Sequence, residues 1–305
     1  MHLKKRLLGH IFQRYYRWRL AEIAAPEYPI LLEYPLKPTP RWGYGKPPHA
    51  KILAILEAGR AEYAKRLSTF CQLKDSLSRI PAEGTPDGLE PCWGPQINFS
   101  GLDGIALYGM LCEFRPKSLI EVGSGYSTKF ARRAIRDHSL PTRITSIDPA
   151  PRAEIDKLCD SVIRRPLEEV DPDSFSELEA GDFLFIDGSH RTFSNSDVTV
   201  VFMDVLPNLR PGVVVHFHDI FWPYDYLPEW RDRHFSEQYM LGSYLLGDFA
   251  SRVEVLLPNG LVVHDRELAG ICKPLLEIPG VRVPLNDTSS RYGIEGGSFW
   301  LRLRH

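Results

Sequence analysis

Between residues 118 and 257 the chain repeats one pattern: a short apolar run, a turn rich in glycine or acid, then a stretch of helical character. The runs are Ser118–Val122, Arg143–Ile147, Ser161–Ile163, Phe183–Ile186, Val213–Phe217 and Val253–Leu257. Helices are expected over 102–114, 129–137, 152–159, 194–206 and 237–249. A strand with no polar alternation is buried on both faces, and parallel strands joined by helices bury it that way. The pattern therefore constrains this part of the chain to a mostly parallel α/β sheet with helices on both sides. In such sheets ligands bind beyond the carboxyl ends of the strands. The chemically capable residues stand there: Gly123, Asp148, Asp187, His218 and Asp219.

Composition sets the outer limits. The chain has 305 residues, 43% of them hydrophobic and 25% charged, which suffices for a sizeable core. A formal net charge of −2 argues against a nucleic-acid partner for the whole chain. The five cysteines are scattered without a CxxC pair, so neither a disulfide framework nor a structural zinc site is expected, and a reduced, cytoplasmic setting is the natural reading. No apolar run reaches the length of a membrane span, and no secretory signal is evident. Residues 1–20 carry six Lys/Arg and no acid, with Leu8, Phe12, Tyr16 and Leu20 four apart. That spacing predicts a helix, either docked with a solvated basic face or touching an anionic membrane surface or a partner. A Pro- and aromatic-rich arm over 26–49, a helix over 50–75 and a loop over 81–95 complete an N-terminal extension assigned to 1–94, ahead of a domain over 95–305.

Glu121-Val-Gly123-Ser124-Gly125-Tyr-Ser127-Thr128 is a glycine-rich turn between a strand and a helix. Glycines let a backbone turn sharply and approach a ligand with no Cβ in the way. Asp148 closes the next strand, where a carboxylate accepts hydrogen bonds from ribose hydroxyls, although Pro149 behind it also suits a plain turn. A dinucleotide fingerprint needs glycine or alanine at its sixth position, and here that position is Thr128. An acid, a Gly-x-Gly turn and an acid closing the second strand resemble motifs I and II of class I S-adenosylmethionine (SAM)-dependent methyltransferases. That resemblance implies a SAM pocket formed by Glu121, Gly123, Ser124, Gly125 and Ser127, with Asp148 on the ribose and Asp187 at its edge. It also places the segment 164–168 beside the adenine.

Asp187-Gly-Ser-His190 closes the fourth strand, and His218-Asp219-Ile-Phe-Trp222 closes the fifth. Neighbouring strands that end in carboxylates bring them together, and with histidines nearby they suit a divalent cation or acid/base work. DGxH, a helix, and an apolar strand ending in HD resemble one branch of class I methyltransferases over roughly residues 98–257. The branch is methyltransferase family 24-like, near macrocin-type O-methyltransferases and cephalosporin-hydroxylase-like proteins. The resemblance implies a Rossmann-like fold with a mostly parallel seven-stranded sheet, helices on both faces, and a last strand (298–303) inserted antiparallel. It implies O-methylation of a hydroxyl on a sugar or natural-product-like acceptor, with Asp187, His190, His218 and Asp219 as the catalytic set. Asp187 and Asp219 would hold Mg2+ or another divalent cation. The better-understood metal-dependent relatives end strand five in Asp-Asp or Asp-Asn, where this chain has His218-Asp219, so a metal-free His/Asp base stays open beside the metal.

His216 shares a face with His218 in a regular strand and reads as a core histidine. The loop 222–230 reads either as an aromatic wall to the acceptor site or as a loop folding its aromatics over the domain. Residues 258–297 are expected to complete the acceptor site or an oligomer contact. Three other readings compete: a nicotinamide-dependent oxidoreductase, a non-catalytic scaffold of the same fold, and an iron-dependent hydroxylase using two histidines and a carboxylate.

Overall fold

The computed structural model describes residues 36–85, 88–94, 99, 101–247, 249–281 and 296–304. The basic helix expected over 1–20 lies outside the described residues, as do the first part of the arm (26–35) and residues 282–295. Residues 1–38 and 39–305 are separate compact units, and the second is described below.

Helices α1 (Ala50–Glu57), α2 (Arg60–Cys71) and α3 (Lys74–Leu77) fill the stretch expected as one helix, with Gly59 at the first break. They are followed by α4 (Leu102–Phe114), β1 (Ser118–Val122), α5 (Tyr126–His138), β2 (Arg143–Ile147), β3 (Ser161–Ile163) and β4 (Phe183–Ile186). Then come α6 (Asp197–Val200), β5 (Val214–Phe217), α7 (Glu237–Leu246), α8 (Phe249–Arg252) and β6 (Val253–Pro258). The short helices α9 (Asn259–Val262), α10 (Arg266–Ile271) and α11 (Lys273–Leu276) precede β7 (Phe299–Leu303).

The helix expected over 152–159 is not there. Pro149 and Pro151 remove two N–H donors from a bent entry, Ile155 alone is buried, and only a 3-10 turn at Asp156–Leu158 forms. The helix expected over 194–206 begins at Asp197, capped by Ser196, and passes into a π-helical turn at Val201–Val205.

The strands form one seven-stranded sheet in the order β3-β2-β1-β4-β5-β7-β6. Pairings among β1 to β5 are parallel, and β7 runs antiparallel to both β5 and β6. The pattern predicted the mostly parallel sheet, and the resemblance implied its seven-stranded, Rossmann-like form with the inserted last strand; both are present. The continuous apolar runs have the expected cause, since β4, β5 and all of β1 after its first residue are buried. Helix α4 is buried at every position from Leu102 to Leu111, which makes it a core element rather than a surface one. One hydrophobic core runs from Ile52 and Tyr63 through the sheet to Leu303.

Register positions the site. Val122 lies opposite Ile147, so the next residues, Gly123 and Asp148, emerge side by side. Ile186 lies opposite Phe217, so Asp187 emerges beside His218. The ladder continues one step past the strands: Gly123 N–H donates to Ile147 O (3.0 Å), Asp187 N–H to Val122 O (2.8 Å) and His218 N–H to Ile186 O (2.9 Å). Gly123, Asp148, Asp187 and His218 are therefore pinned by sheet hydrogen bonds.

Candidate active site

A cleft of about 1460 Å³ opens above these strand ends. At one side lies the turn from β1 into α5. Gly123 has φ +79°, and a Cβ there would lie 1.8 Å from the carbonyl oxygen of Asp187. Any side chain would drive the first turn into the fourth. We therefore expect Gly123→Ala to cost roughly 3 kcal/mol or more through forced backbone displacement, measured by denaturant melts, and an unchanged midpoint would refute this packing. Gly125 differs: a Cβ would point into open space, leaving bare backbone beside the cleft.

Asp148 is fixed from both oxygens. Oδ2 accepts from Ser124 N–H (2.9 Å) and Oδ1 from Ala150 N–H (2.7 Å). Arg164 reaches behind it to Asp148 O (3.0 Å) and Ser146 Oγ (3.2 Å). The Ser124 and Ser127 backbones line the cleft, as do Pro166, Leu167 and Glu168 on its far wall. Glu121 does not. It is fully enclosed under the turn, where it accepts hydrogen bonds from Ser127 Oγ and Thr128 Oγ1, both 2.5 Å. Burial pushes its carboxyl up to about 7 against the pull of those hydroxyls. Its place is to anchor the helix start below the pocket. Thr128 Oγ1 also accepts from Gly125 N–H (3.1 Å).

At the other side, four residues predicted from the sequence come together. Asp187 Oδ1 lies 3.2 Å from His218 Nδ1 and 3.3 Å from His190 Nε2. Asp219 lies 3.3 Å from His190 Nε2 and 3.5 Å from His218 Nδ1. Ligand atoms of Asp187, His218 and Asp219 all fall within 4.8 Å of one another. His190 (φ 58°) and Asp219 (φ 55°) both occupy the left-handed region, a conformation disfavoured for side-chain-bearing residues and concentrated at functional sites.

Two further carboxylates, absent from the sequence reading, stand behind the histidines. Glu237, at the start of α7, accepts from or shares a proton with His190 Nδ1 at 2.8 Å and is fully buried. Asp103, in the first turn of α4, faces His218 Nε2 at 3.4 Å. Each imidazole thus has one nitrogen held by a buried carboxylate and the other turned toward Asp187 and Asp219, an arrangement that fixes the orientation of each ring. Burial alone would drive both histidines neutral. The carboxylates overcome it, raising His190 to about 10 and His218 well above its ordinary value. Asp187 is held far below the usual carboxylate range by the two imidazoles, despite desolvation, whereas burial raises Asp219 and Glu237.

His216 is a core residue, as expected: its ring stacks on Phe185 at 3.8 Å and Nε2 meets Ser298 Oγ at 2.9 Å. The aromatic loop divides between its two readings. Trp222 and Tyr226 turn inward, Trp222 Nε1 donating to Gln238 O (2.6 Å), while Phe221, Leu227 and Trp230 line the cleft.

Residues 120–220 match a family model described as a methyltransferase domain. All the predicted site residues but Glu121 line the cleft. No curated protein matches the chain. Among solved structures the chain is similar to the SAH-bound methyltransferase PaMTH1 of Podospora anserina, at 14% identity and a TM-score of 0.39, over 83% of this chain and 96% of that one. Among the described residues no helix is long and apolar enough to cross a membrane.

Proposed function

We propose that this chain transfers a methyl group from SAM to a hydroxyl of a sugar-like or natural-product-like small molecule. One observation carries the reading: a single cleft has a bare-backbone glycine turn with a fixed carboxylate, Asp148, at one side and a His/Asp cluster at the other. Asp148 would accept from the ribose hydroxyls, Gly125 would let the cofactor lie against the backbone, and 166–168 would wall the adenine. Methyl transfer from a sulfonium is an in-line displacement, so the cleft must align donor and acceptor and shed water. The acceptor hydroxyl must also lose its proton, and the Asp187, His190, His218 and Asp219 cluster is where a proton would go.

A divalent cation belongs to this proposal. Asp187, Asp219 and His218 have the donor types and spacing for one. When bound, it would lower the acceptor's pKa and orient it. The imidazole nitrogen in the set suits Mn2+ or Zn2+ at least as well as Mg2+. Without a metal, the Asp219 carboxylate, held beside the two imidazoles, would take the acceptor's proton. The nicotinamide alternative is disfavoured by Thr128, whose buried hydroxyl is tied to Gly125 and Glu121 where a dinucleotide site has glycine or alanine.

Calorimetric titration with SAM and with NAD, each with and without a divalent cation, tests the reading. SAM is expected to bind and NAD not to. Asp148→Ala should lower SAM affinity about a hundredfold, from two lost hydrogen bonds at roughly 1–1.5 kcal/mol each, with the melting profile retained. Unchanged affinity in that variant would remove Asp148 from the cofactor site.

A further inference from the structure

The rim of the cleft carries a pair of arginines that the methyl-transfer reading does not use. Arg191 follows His190 in the loop after β4, and Arg233 ends the 3-10 turn Pro228–Arg233 in the loop after β5. Both line the cleft. The two loops meet over one aromatic ring: Cζ of Arg191 lies 5.1 Å and Cζ of Arg233 5.6 Å from the centroid of Phe235. Arg233 also lies over Trp230, at 4.2 Å.

Arg191 is locked in place. Its Nε donates to Arg233 O (3.1 Å) and its Nη1 to Ser189 O (3.1 Å), so its Nη2 edge is left without a partner among the described residues. Neither guanidinium is ion-paired to a carboxylate among the described residues, although Glu229 lines the same cleft. Two cations held on one ring, Arg191 by hydrogen bonds and Arg233 against Trp230, repel each other, and an anion bound by both removes that repulsion. Guanidinium forks match the oxygens of phosphate and carboxylate, and a preorganised fork loses little entropy on binding.

Phe235 also gives the distance scale. The His190 ring stands 4.7 Å from the same Phe235 centroid. The cation pair is therefore one aromatic ring away from the His/Asp cluster, a separation that a sugar-sized molecule spans. We infer that the acceptor carries an anionic group, a phosphate or a carboxylate, which Arg191 and Arg233 hold while its hydroxyl lies at Asp187 and Asp219. The identity of the acceptor in this inference rests on the methyl-transfer reading, but the anion site itself does not.

Calorimetry of the full chain with inorganic phosphate and, separately, with malonate tests it, against a chloride control of matched ionic strength. Saturable binding of at least one is expected. Arg191→Gln and Arg233→Gln should each weaken it about tenfold, the double variant should abolish it, and Arg266→Gln, on an exposed part of α10, should leave it unchanged. Tighter phosphate binding assigns a phosphorylated acceptor, and tighter malonate binding a carboxylated one. Binding no stronger than chloride, or binding that survives the double variant, overturns the inference. SAM affinity measured on the same samples separates the two claims: phosphate or malonate binding without SAM binding would sink the methyltransferase reading and leave the anion site standing.

Discussion

An Asp219→Asn chain is expected to fold and bind SAM yet transfer methyl groups about a thousandfold more slowly, the range for loss of a positioned acid/base group. Asparagine is the informative substitution because residue 219 sits at φ 55°. Asparagine tolerates the left-handed region, whereas alanine there would add about 1 kcal/mol of strain and blur the result. The amide keeps the shape of the side chain but not its charge. His190 Nε2 and His218 Nδ1, at 3.3 and 3.5 Å, would both lose an anionic partner. Single-turnover transfer measured beside calorimetric SAM affinity separates the two effects. A rate within threefold of the parent chain would exclude Asp219 from the chemistry.

The largest stability effect is expected at Asp103, in the first turn of α4. Its carboxylate accepts from Gly297 N–H (2.8 Å), Ser298 N–H (2.8 Å) and Asn259 Nδ2 (2.7 Å), and faces the His218 imidazole. It thereby ties the first turn of α4 to the entry of β7 and to α9. Asp103→Ala would leave those buried donors unsatisfied and the imidazole undercompensated, a loss of about 3–5 kcal/mol by the usual cost of breaking a buried pair. The pH dependence has a definite sign. Burial opposes ionisation of Asp103, but His218 and the backbone donors win and hold it at about 2, below the ordinary 3.8. A depressed carboxylate stabilises the fold above its unfolded value and stops doing so as pH falls from 3.8 toward 2. Parent and variant should therefore differ most near neutral pH and converge in acid. Denaturant midpoints at pH 7 and pH 3 give the comparison, and equal midpoints at pH 7 would refute the role.

The sheet was legible because it is built from runs with no polar alternation, such as Phe183–Ile186, which only a doubly covered strand accommodates. The strand-end residues were legible for the same reason: once the strands are placed, Asp148, Asp187, His218 and Asp219 can stand only at their carboxyl ends. The helix expected over 152–159 does not form because two prolines stand at its entry and only Ile155 is buried there. Glu121 reads as a pocket residue in sequence but lies beneath the pocket, since position within a turn does not say which way a side chain turns. Asp103 and Glu237 were invisible for a physical reason. Each stands in the first turn of a helix, where an acid is ordinarily a dipole partner. Only the tertiary contact, from 115 residues away for Asp103 and 47 for Glu237, turns them into partners of histidines.

The His/Asp cluster has one more property. Four carboxylates, Asp103, Asp187, Asp219 and Glu237, surround only two imidazoles. Even with both rings protonated, the cluster lacks two positive charges when all four carboxylates are ionised, and burial together with that crowding raises Asp219 and Glu237. The cleft floor therefore behaves as a small ion exchanger. A metal held through the His218 imidazole would have to displace that ring's proton, so its affinity should climb with pH and its arrival should release acid into the solvent.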